Sequence, residues 1–117
     1  MPTYGARAEA KAAAYLTSLR HQIIAQNFQF YGKGRGRRGE IDIISFKDSR
    51  IHFVEVKARQ NTRFGHPLAS ITPQKIRTLR QTAEYFLVCR PKYRVFNVQF
   101  DVITLLRSRL DYYPRAF

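Results

Sequence analysis

The sequence predicts a single α/β domain in which helices flank a central mixed sheet, in the order helix, three strands, helix, strand. Three observations predict it. Two segments repeat apolar residues at helical spacing, four runs are rich in β-branched and aromatic residues, and the second helical segment stands between the third and fourth of those runs. A helix placed there makes a crossover between strands of one sheet, and such crossovers are right-handed.

The first helix runs from Tyr4 to about Arg20, where Ala8, Ala12, Leu16 and Leu19, with Tyr15, recur on one face. Glu9 lies three, four and seven residues before Ala12, Ala13 and Leu16, so it sits beside the buried stripe. An acid near a helix start is favoured by the macrodipole by about 0.3–1 kcal/mol, which is one reason for its presence. Gln22 to Phe30 follows as a strand with Ile24, Phe28 and Phe30 inward and its alternation broken near Asn27.

The next stretch, Tyr31 to Gly39, alternates Gly32, Gly34, Gly36 and Gly39 with Lys33, Arg35, Arg37 and Arg38. It is expected to be a flexible basic loop, too glycine-rich for helix or strand. No following Lys-Ser/Thr opens a helix, so it is not a Walker loop. Either it closes over a phosphate backbone, with Tyr31 stacked on a base, or it is a solvated connection.

Glu40 to Phe46 and Arg50 to Lys57 form a hairpin through the polar turn Lys47 to Arg50. With Asp48 and Ser49 at the turn centre, Phe46 faces Ile51, Ile44 faces Phe53, Asp42 faces Glu55 and Glu40 faces Lys57. Opposed side chains have Cβ atoms about 4.5–5.5 Å apart, and two carboxylates there repel unless something neutralises them. Ile41, Ile43, Val54 and Val56 make the other face of the hairpin apolar too, which places it centrally in the sheet. Two carboxylates on stiff backbone, with Lys57 two residues beyond Glu55, suit a hard cation such as Mg²⁺ or Mn²⁺. Such a site polarises a phosphate oxygen and lowers the pKa of a bound water, while the lysine holds that water or stabilises the transition state. The plainer reading is a half-exposed hairpin carrying ordinary surface charges.

Beyond Lys57 a loop with Gly65 and Pro67 adds Arg59 and Arg63, and His66 reads as a loop histidine. Thr72 makes an N-cap with Pro73 at the first helical position. Ile76, Leu79, Ala83, Phe86 and Leu87 give the second helix its buried stripe, and Lys75, Arg77 and Arg80 occupy the rest. Lys75 stands near the helix start, where loop and strand ends gather. Arg90-Pro91 closes the helix, and Arg94 to Leu106 supplies the fourth strand. Its lone acid, Asp101, either orients a lysine or water or pairs with one of the many arginines, the second being expected. The tail, with Tyr112, Tyr113 and Phe117, folds back on the sheet or makes a contact in a homodimer.

Charge bounds the partner. The 117 residues carry 21 Lys and Arg against 8 acids, a formal net charge of +13 and a pI near 10.6, so the chain is drawn to polyanions, nucleic acid first among them. Four of the eight acids, Glu40, Asp42, Asp48 and Glu55, fall in the one hairpin, which a generically basic protein does not require. An aromatic content of 14% and a hydrophobic content of 44% exclude a disordered chain. With Cys89 as the only cysteine, an internal disulfide is excluded, and the lack of His or Cys partners near it argues against a thiolate zinc site. The N-terminal residues lack the apolar core of a signal peptide and no segment has the length of a membrane span, so a cytoplasmic location is expected and a membrane partner is not.

Asp42, followed on the next strand by Glu55-Val56-Lys57, resembles the signature of the PD-(D/E)XK nuclease superfamily, with Ile41 where the shorthand has Pro. Within that superfamily, GEIDII, FVEVKAR, FG, a helix carrying TAEYF, and FDVI resemble the YraN-like family over most of the chain. The resemblance implies a restriction-endonuclease-like fold with an αβββαβ core. It also implies a Mg²⁺- or Mn²⁺-dependent endonuclease hydrolysing phosphodiester bonds in DNA, branched or structured DNA included. Asp42, Glu55 and the backbone carbonyl of Val56 would then ligate the metal and Lys57 would position the water. Glu9 would be an outer ligand, as an N-terminal helix glutamate is in the similar Holliday-junction resolvases. Lys33, Arg35, Arg37, Arg38, Arg59, Arg63 and Lys75 are the expected nucleic-acid contacts. The alternative is a non-catalytic basic nucleic-acid-binding module on the same fold, which needs the arginines but neither Asp42 nor Glu55.

Overall fold

The computed structural model describes residues 3–32, 35–63 and 65–117, excepting the side chains of Arg35 and Arg37. Its elements are α1 (Tyr4–Ser18), β1 (Gln22–Gly32), β2 (Arg35–Lys47), β3 (Arg50–Arg59), α2 (Pro73–Cys89), β4 (Asn97–Leu106) and β5 (Arg109–Tyr113), with short 3₁₀ turns at Pro67–Ser70 and Pro91–Tyr93. The five strands stand in chain order in one sheet. All neighbours are antiparallel except β3 and β4, which run parallel because α2 carries the chain back between them. This is the mixed α/β architecture of a restriction-endonuclease-like domain.

Both helices start where the sequence provides a cap. The Thr3 hydroxyl accepts the Ala6 amide at 3.0 Å, and the Thr72 hydroxyl accepts the Lys75 amide at 3.1 Å ahead of Pro73 at the first turn. On one side of the sheet α1 presses Ala8, Ala12 and Leu16 onto Ile43, Val54, Ile103 and Leu105. On the other, α2 presses Leu79, Ala83 and Phe86 onto Ile41, Ile44, Ile51, Phe53 and Phe100. Burying each of the larger side chains is worth about 1.5–3 kcal/mol, and covering both faces is why the central strands read as continuous apolar runs. Ile41 and Ile43 join opposite layers although they are two residues apart, so β2 rotates across Asp42 instead of presenting both on one face.

Asp48 and Ser49 have φ of 52° and 60°, the two left-handed residues of a tight hairpin turn, and the expected register follows with Phe46 opposite Ile51 and Ile44 opposite Phe53. The ladder then stops at Ile43 and Val54. Asp42 and Glu55, and Glu40 and Lys57, were expected as direct cross-strand pairs and are not ladder partners. The reason is local: the Asp42 carboxylate takes the Val56 amide at 2.8 Å, the donor that a continuing ladder would have given to a backbone carbonyl. Past that point β2 pairs with β1 and β3 with β4, so the sheet forks at Asp42.

Two boundaries differ from expectation. The glycine-rich segment is not all loop, because β1 extends through Gly32 and β2 begins at Arg35, with Tyr31 opposite Arg37 and irregular register at this end. Glycine is tolerated there by close packing: a Cβ at Gly39 would collide with the Thr82 hydroxyl of α2. The fourth strand begins at Asn97, since Pro91–Tyr93 first makes a 3₁₀ turn. The tail folds back on the sheet, one of the two outcomes expected of it, as β5 beside β4. The broken alternation of β1 is realised by a register shift between Ile23 and Ala25 and by Asn27 at φ 53°. Among the described residues no helix is long and apolar enough to cross a membrane.

Candidate active site

The fork in the sheet gathers acids from three elements. Asp42 and Glu55, 8% and 4% exposed, lie where β2 and β3 part, and Glu9 of α1 approaches Asp42 and Asn27. Burial, followed by the hydrogen bond and charge of Glu55, pushes the Asp42 carboxyl up to about 9, although the Val56 amide pulls the other way. Burial also raises Glu9, and the charges of Glu40 and Glu55 add to that rise against its hydrogen bonds to Asp42 and Asn27. Glu40 itself receives the Gln29 amide group at 3.4 Å.

A cation from α2 pairs with a carboxylate of this group. Lys75 Nζ lies 3.0 Å from Glu55 Oε2, outside hydrogen-bonding geometry, so that buried oxygen has a charge beside it and no hydrogen bond. The Thr72 cap holds the backbone of Lys75, and with it the base of the side chain, at the start of α2 facing β3. Lys57 is half-buried two residues beyond Glu55, opposite Thr104 of β4, and its ammonium has no hydrogen bond or ion pair among the described residues.

These residues fit a hard cation of the Mg²⁺ type. Among the described residues no group of three or more His, Cys, Asp or Glu side chains forms a closed cage. Mg²⁺ does not need one, since it retains several waters and takes one or two carboxylates. Two buried carboxylates, of which Glu55 raises the proton affinity of Asp42 and has an oxygen lacking any hydrogen bond, are the donor set such an ion satisfies.

The expected nucleic-acid contacts divide. Lys33 lies outside the described residues, as do the side chains of Arg35 and Arg37. Arg38 is exposed and its guanidinium lies across Gly32. Arg59 ends β3 two residues after Lys57; its carbonyl accepts the Tyr4 hydroxyl at 2.9 Å and the Arg107 amide at 3.0 Å. Arg63 is exposed in the turn that follows. Lys75 is the member that the fold brings to the carboxylates.

A second polar cluster, on the α1 side of the sheet, was not foreseen. Asp101 was expected to pair with an arginine side chain. Instead it is fully buried and accepts from His52 Nδ1 at 2.7 Å, the Tyr112 hydroxyl at 2.6 Å, Gln99 Nε2 at 2.9 Å and the backbone amide of Arg115 at 3.0 Å. Burial alone would raise it, but these four donors outweigh burial and hold it below the ordinary carboxylate range. His21 stacks edge-on to His52 and its Nδ1 lies 2.8 Å from the buried Ser45 hydroxyl. Burial, then the charges of His52 and Lys47, push His21 down to about 4. The sequence signal was the polar pair Ser45 and His52, which fall opposite each other in the expected register.

A model of the family described as "Uncharacterised protein family UPF0102" matches residues 8–105. The chain is 36% identical over 113 residues to a UPF0102 protein of Syntrophomonas wolfei, covering 93% of this chain and 92% of that one. It is 34% identical over 115 residues to a UPF0102 protein of Petrotoga mobilis, covering 97% and 96%. A UPF0102 protein of Caldicellulosiruptor saccharolyticus is 39% identical over 99 residues, covering 85% and 78%.

Proposed function

The chain belongs to the UPF0102 family, and for this member we propose a metal-dependent nuclease that hydrolyses phosphodiester bonds in DNA, branched or structured DNA included. One observation carries the reading: two buried carboxylates, Asp42 and Glu55, share the fork between β2 and β3 beside a lysine, Lys57, whose ammonium is bonded to nothing described. Asp42, Glu55 and the carbonyl of Val56 would hold Mg²⁺ or Mn²⁺, with Glu9 behind Asp42 as an outer ligand. A bound cation would supply charge stabilisation for the transition-state phosphate and a water of lowered pKa. Lys57 orients that water or donates to a non-bridging oxygen. Arg38, Arg59 and Arg63, joined by Lys33, Arg35 and Arg37, supply contacts to phosphates on either side, and these position the strand without reading its bases.

The second reading, a non-catalytic basic nucleic-acid-binding module, draws on Lys75. That cation already stands against Glu55, and Asp42 keeps a proton to about 9, so the buried acids are electrically satisfied with no metal. A cleavage assay over linear, nicked, single-stranded and four-way DNA, with Mg²⁺, Mn²⁺ or EDTA, separates the two. The nuclease reading expects cleavage in metal and none in EDTA. Failure to cut any substrate, together with no Mg²⁺ or Mn²⁺ binding that depends on Asp42 by calorimetry, overturns it and leaves the basic binding surface.

A further inference from the structure

At the turn end of the β2–β3 hairpin, on the α1 side of the sheet, a cavity of about 220 Å³ is lined by His21, Lys47, Arg50, His52, Gln99 and Arg115 among others. Asp48 is the one acid lining it, and its side chain belongs to the exposed turn. We propose that this cavity is a phosphate-binding site, in which Lys47, Arg50 and Arg115 surround the oxyanion and the His52 ring forms the floor, its Nε2 able to accept from a protonated phosphate oxygen.

Three features carry the proposal. Three long cations converge on one cavity against the exposed carboxylate of Asp48 and the buried one of Asp101 beneath the floor, which leaves the opening net positive, as an anion site requires. His52 is 6% exposed and gives its Nδ1 proton to Asp101, which fixes the ring and leaves Nε2, bonded to nothing described, as the group that meets a ligand. Asp101 is itself held by Tyr112, Gln99 and the Arg115 amide, so the floor is rigid before any ligand arrives. A polar core serving stability alone would need Asp101 and its donors, but not Lys47, Arg50 and Arg115 around the same opening. An adjoining cavity of about 360 Å³ shares Arg50, Gln99 and Arg115 and adds Arg80, Val98, Phe100 and Phe117, a mixed basic and aromatic space for the group to which a phosphate is esterified.

The site is separate from the carboxylates. His52 precedes Glu55 by three residues, about 10 Å along a strand, and faces the other helical layer. Its ligand is either free phosphate and small phosphate esters or the terminal phosphate of a nucleic-acid strand. Calorimetric titration of the full chain with inorganic phosphate tests it. Replacing Lys47→Ala together with Arg50→Ala, both in the hairpin turn, is expected to weaken binding about tenfold or more. Removing the same charge elsewhere, Arg77→Ala with Arg94→Ala, is expected to leave binding unchanged, as is Asp42→Asn, so this result stands or falls independently of cleavage. His52→Gln serves as the second variant and is expected to weaken binding in a protein whose fold is verified by circular dichroism. Oligonucleotides of one sequence with a 5′-phosphate or a 5′-hydroxyl identify the source: a preference for the phosphate that disappears in the Lys47/Arg50 variant assigns a strand end, and no preference assigns a free ester. No phosphate binding by the wild type, or equal weakening by the two double variants, overturns the proposal.

Discussion

Asp42 and Asp101 are buried in the same sheet, one on each side of β3, yet burial leaves the first pushed up to about 9 and the second held below the ordinary carboxylate range. Their neighbours explain the difference. Asp101 meets four donors, from His52, Tyr112, Gln99 and the Arg115 amide, and its charge is spread over all of them. Asp42 meets one amide, from Val56, and two further acids, Glu55 and Glu9. A buried carboxylate surrounded by donors is a finished piece of structure, whereas a buried carboxylate facing others is stable only with a proton or a cation added.

The largest expected effect would break the comparison at its functional end. Asp42→Asn keeps the shape and removes the charge, so metal-dependent cleavage is expected to fall by about a hundredfold or more. DNA binding in EDTA is expected to survive or tighten, since a negative charge facing phosphates has gone. Gel shift in EDTA and cleavage in Mg²⁺, measured on the same preparations, check both. Equal rates for wild type and variant would assign the activity to another site.

Asp101→Ala is expected to act on stability instead. Removing one partner of a buried charged network leaves His52, Tyr112 and an amide without their acceptor and is expected to lower unfolding free energy by about 3–5 kcal/mol. Denaturant titration measures this, and Asp42→Asn should by contrast be neutral or stabilising in metal-free buffer. If Asp42→Asn were the more damaging to stability, the two clusters would not differ in the way their partners indicate.

The two clusters are also expected to oppose each other as pH changes. Asp42 is raised above its unfolded value of 3.8, so the metal-free native state binds the extra proton, and stability from this group is lost as pH rises from about 4 towards about 9. Glu9 acts in the same direction. His21 is lowered from 6.5 to about 4, so its contribution is present above 6.5 and lost as pH falls between those values. Asp42, whose two values are widely separated, contributes a limiting slope of about 1.4 kcal/mol per pH unit across its window, and Glu9, more exposed to solvent, contributes less. Urea unfolding at several pH values with and without Mg²⁺ checks the signs: Mg²⁺ is expected to offset the alkaline loss, and Asp42→Asn to flatten it. A metal-free stability that climbs steadily from pH 6 to 9 would contradict the raised carboxyl.

Much of the carboxylate cluster was legible because it depends on short-range rules. A polar Asp48-Ser49 pair between apolar runs sets a two-residue turn, and the turn sets the register that brings Asp42 towards Glu55. Thr72-Pro73 sets the start of α2 and so the position of Lys75. The fork was not legible, because it arises when a side chain of β2 replaces a backbone carbonyl as partner of Val56, and strand patterning carries no mark of that substitution. Strand structure at Arg35–Gly39 was hidden because glycine's low strand propensity argues against it, and the close packing of Gly39 against Thr82 appears only once α2 is placed on the sheet. The histidine cluster was hidden because His21, His52, Asp101 and Tyr112 meet only through the order of the strands.

The smallest expected effect concerns Lys75, the cation that stands in the carboxylate cluster where Asp101 has hydrogen-bond donors. Its side chain is 35% exposed, so solvent screens the pair with Glu55, and its loss in Lys75→Ala is expected to lower metal-free stability by about 1 kcal/mol or less. The sign for metal binding is opposite. A divalent cation entering between Asp42 and Glu55 must compete with the Lys75 ammonium for Glu55 Oε2, so removing that ammonium is expected to leave Mg²⁺ affinity unchanged or tighten it modestly, whereas removing the Asp42 charge weakens it. Calorimetry of Mg²⁺ binding to the wild type, Lys75→Ala and Asp42→Asn makes the comparison directly. If Lys75→Ala weakened Mg²⁺ binding as much as Asp42→Asn, the lysine would be holding Glu55 in its binding position, and the carboxylate pair would owe its arrangement to α2 instead of to the fork between β2 and β3.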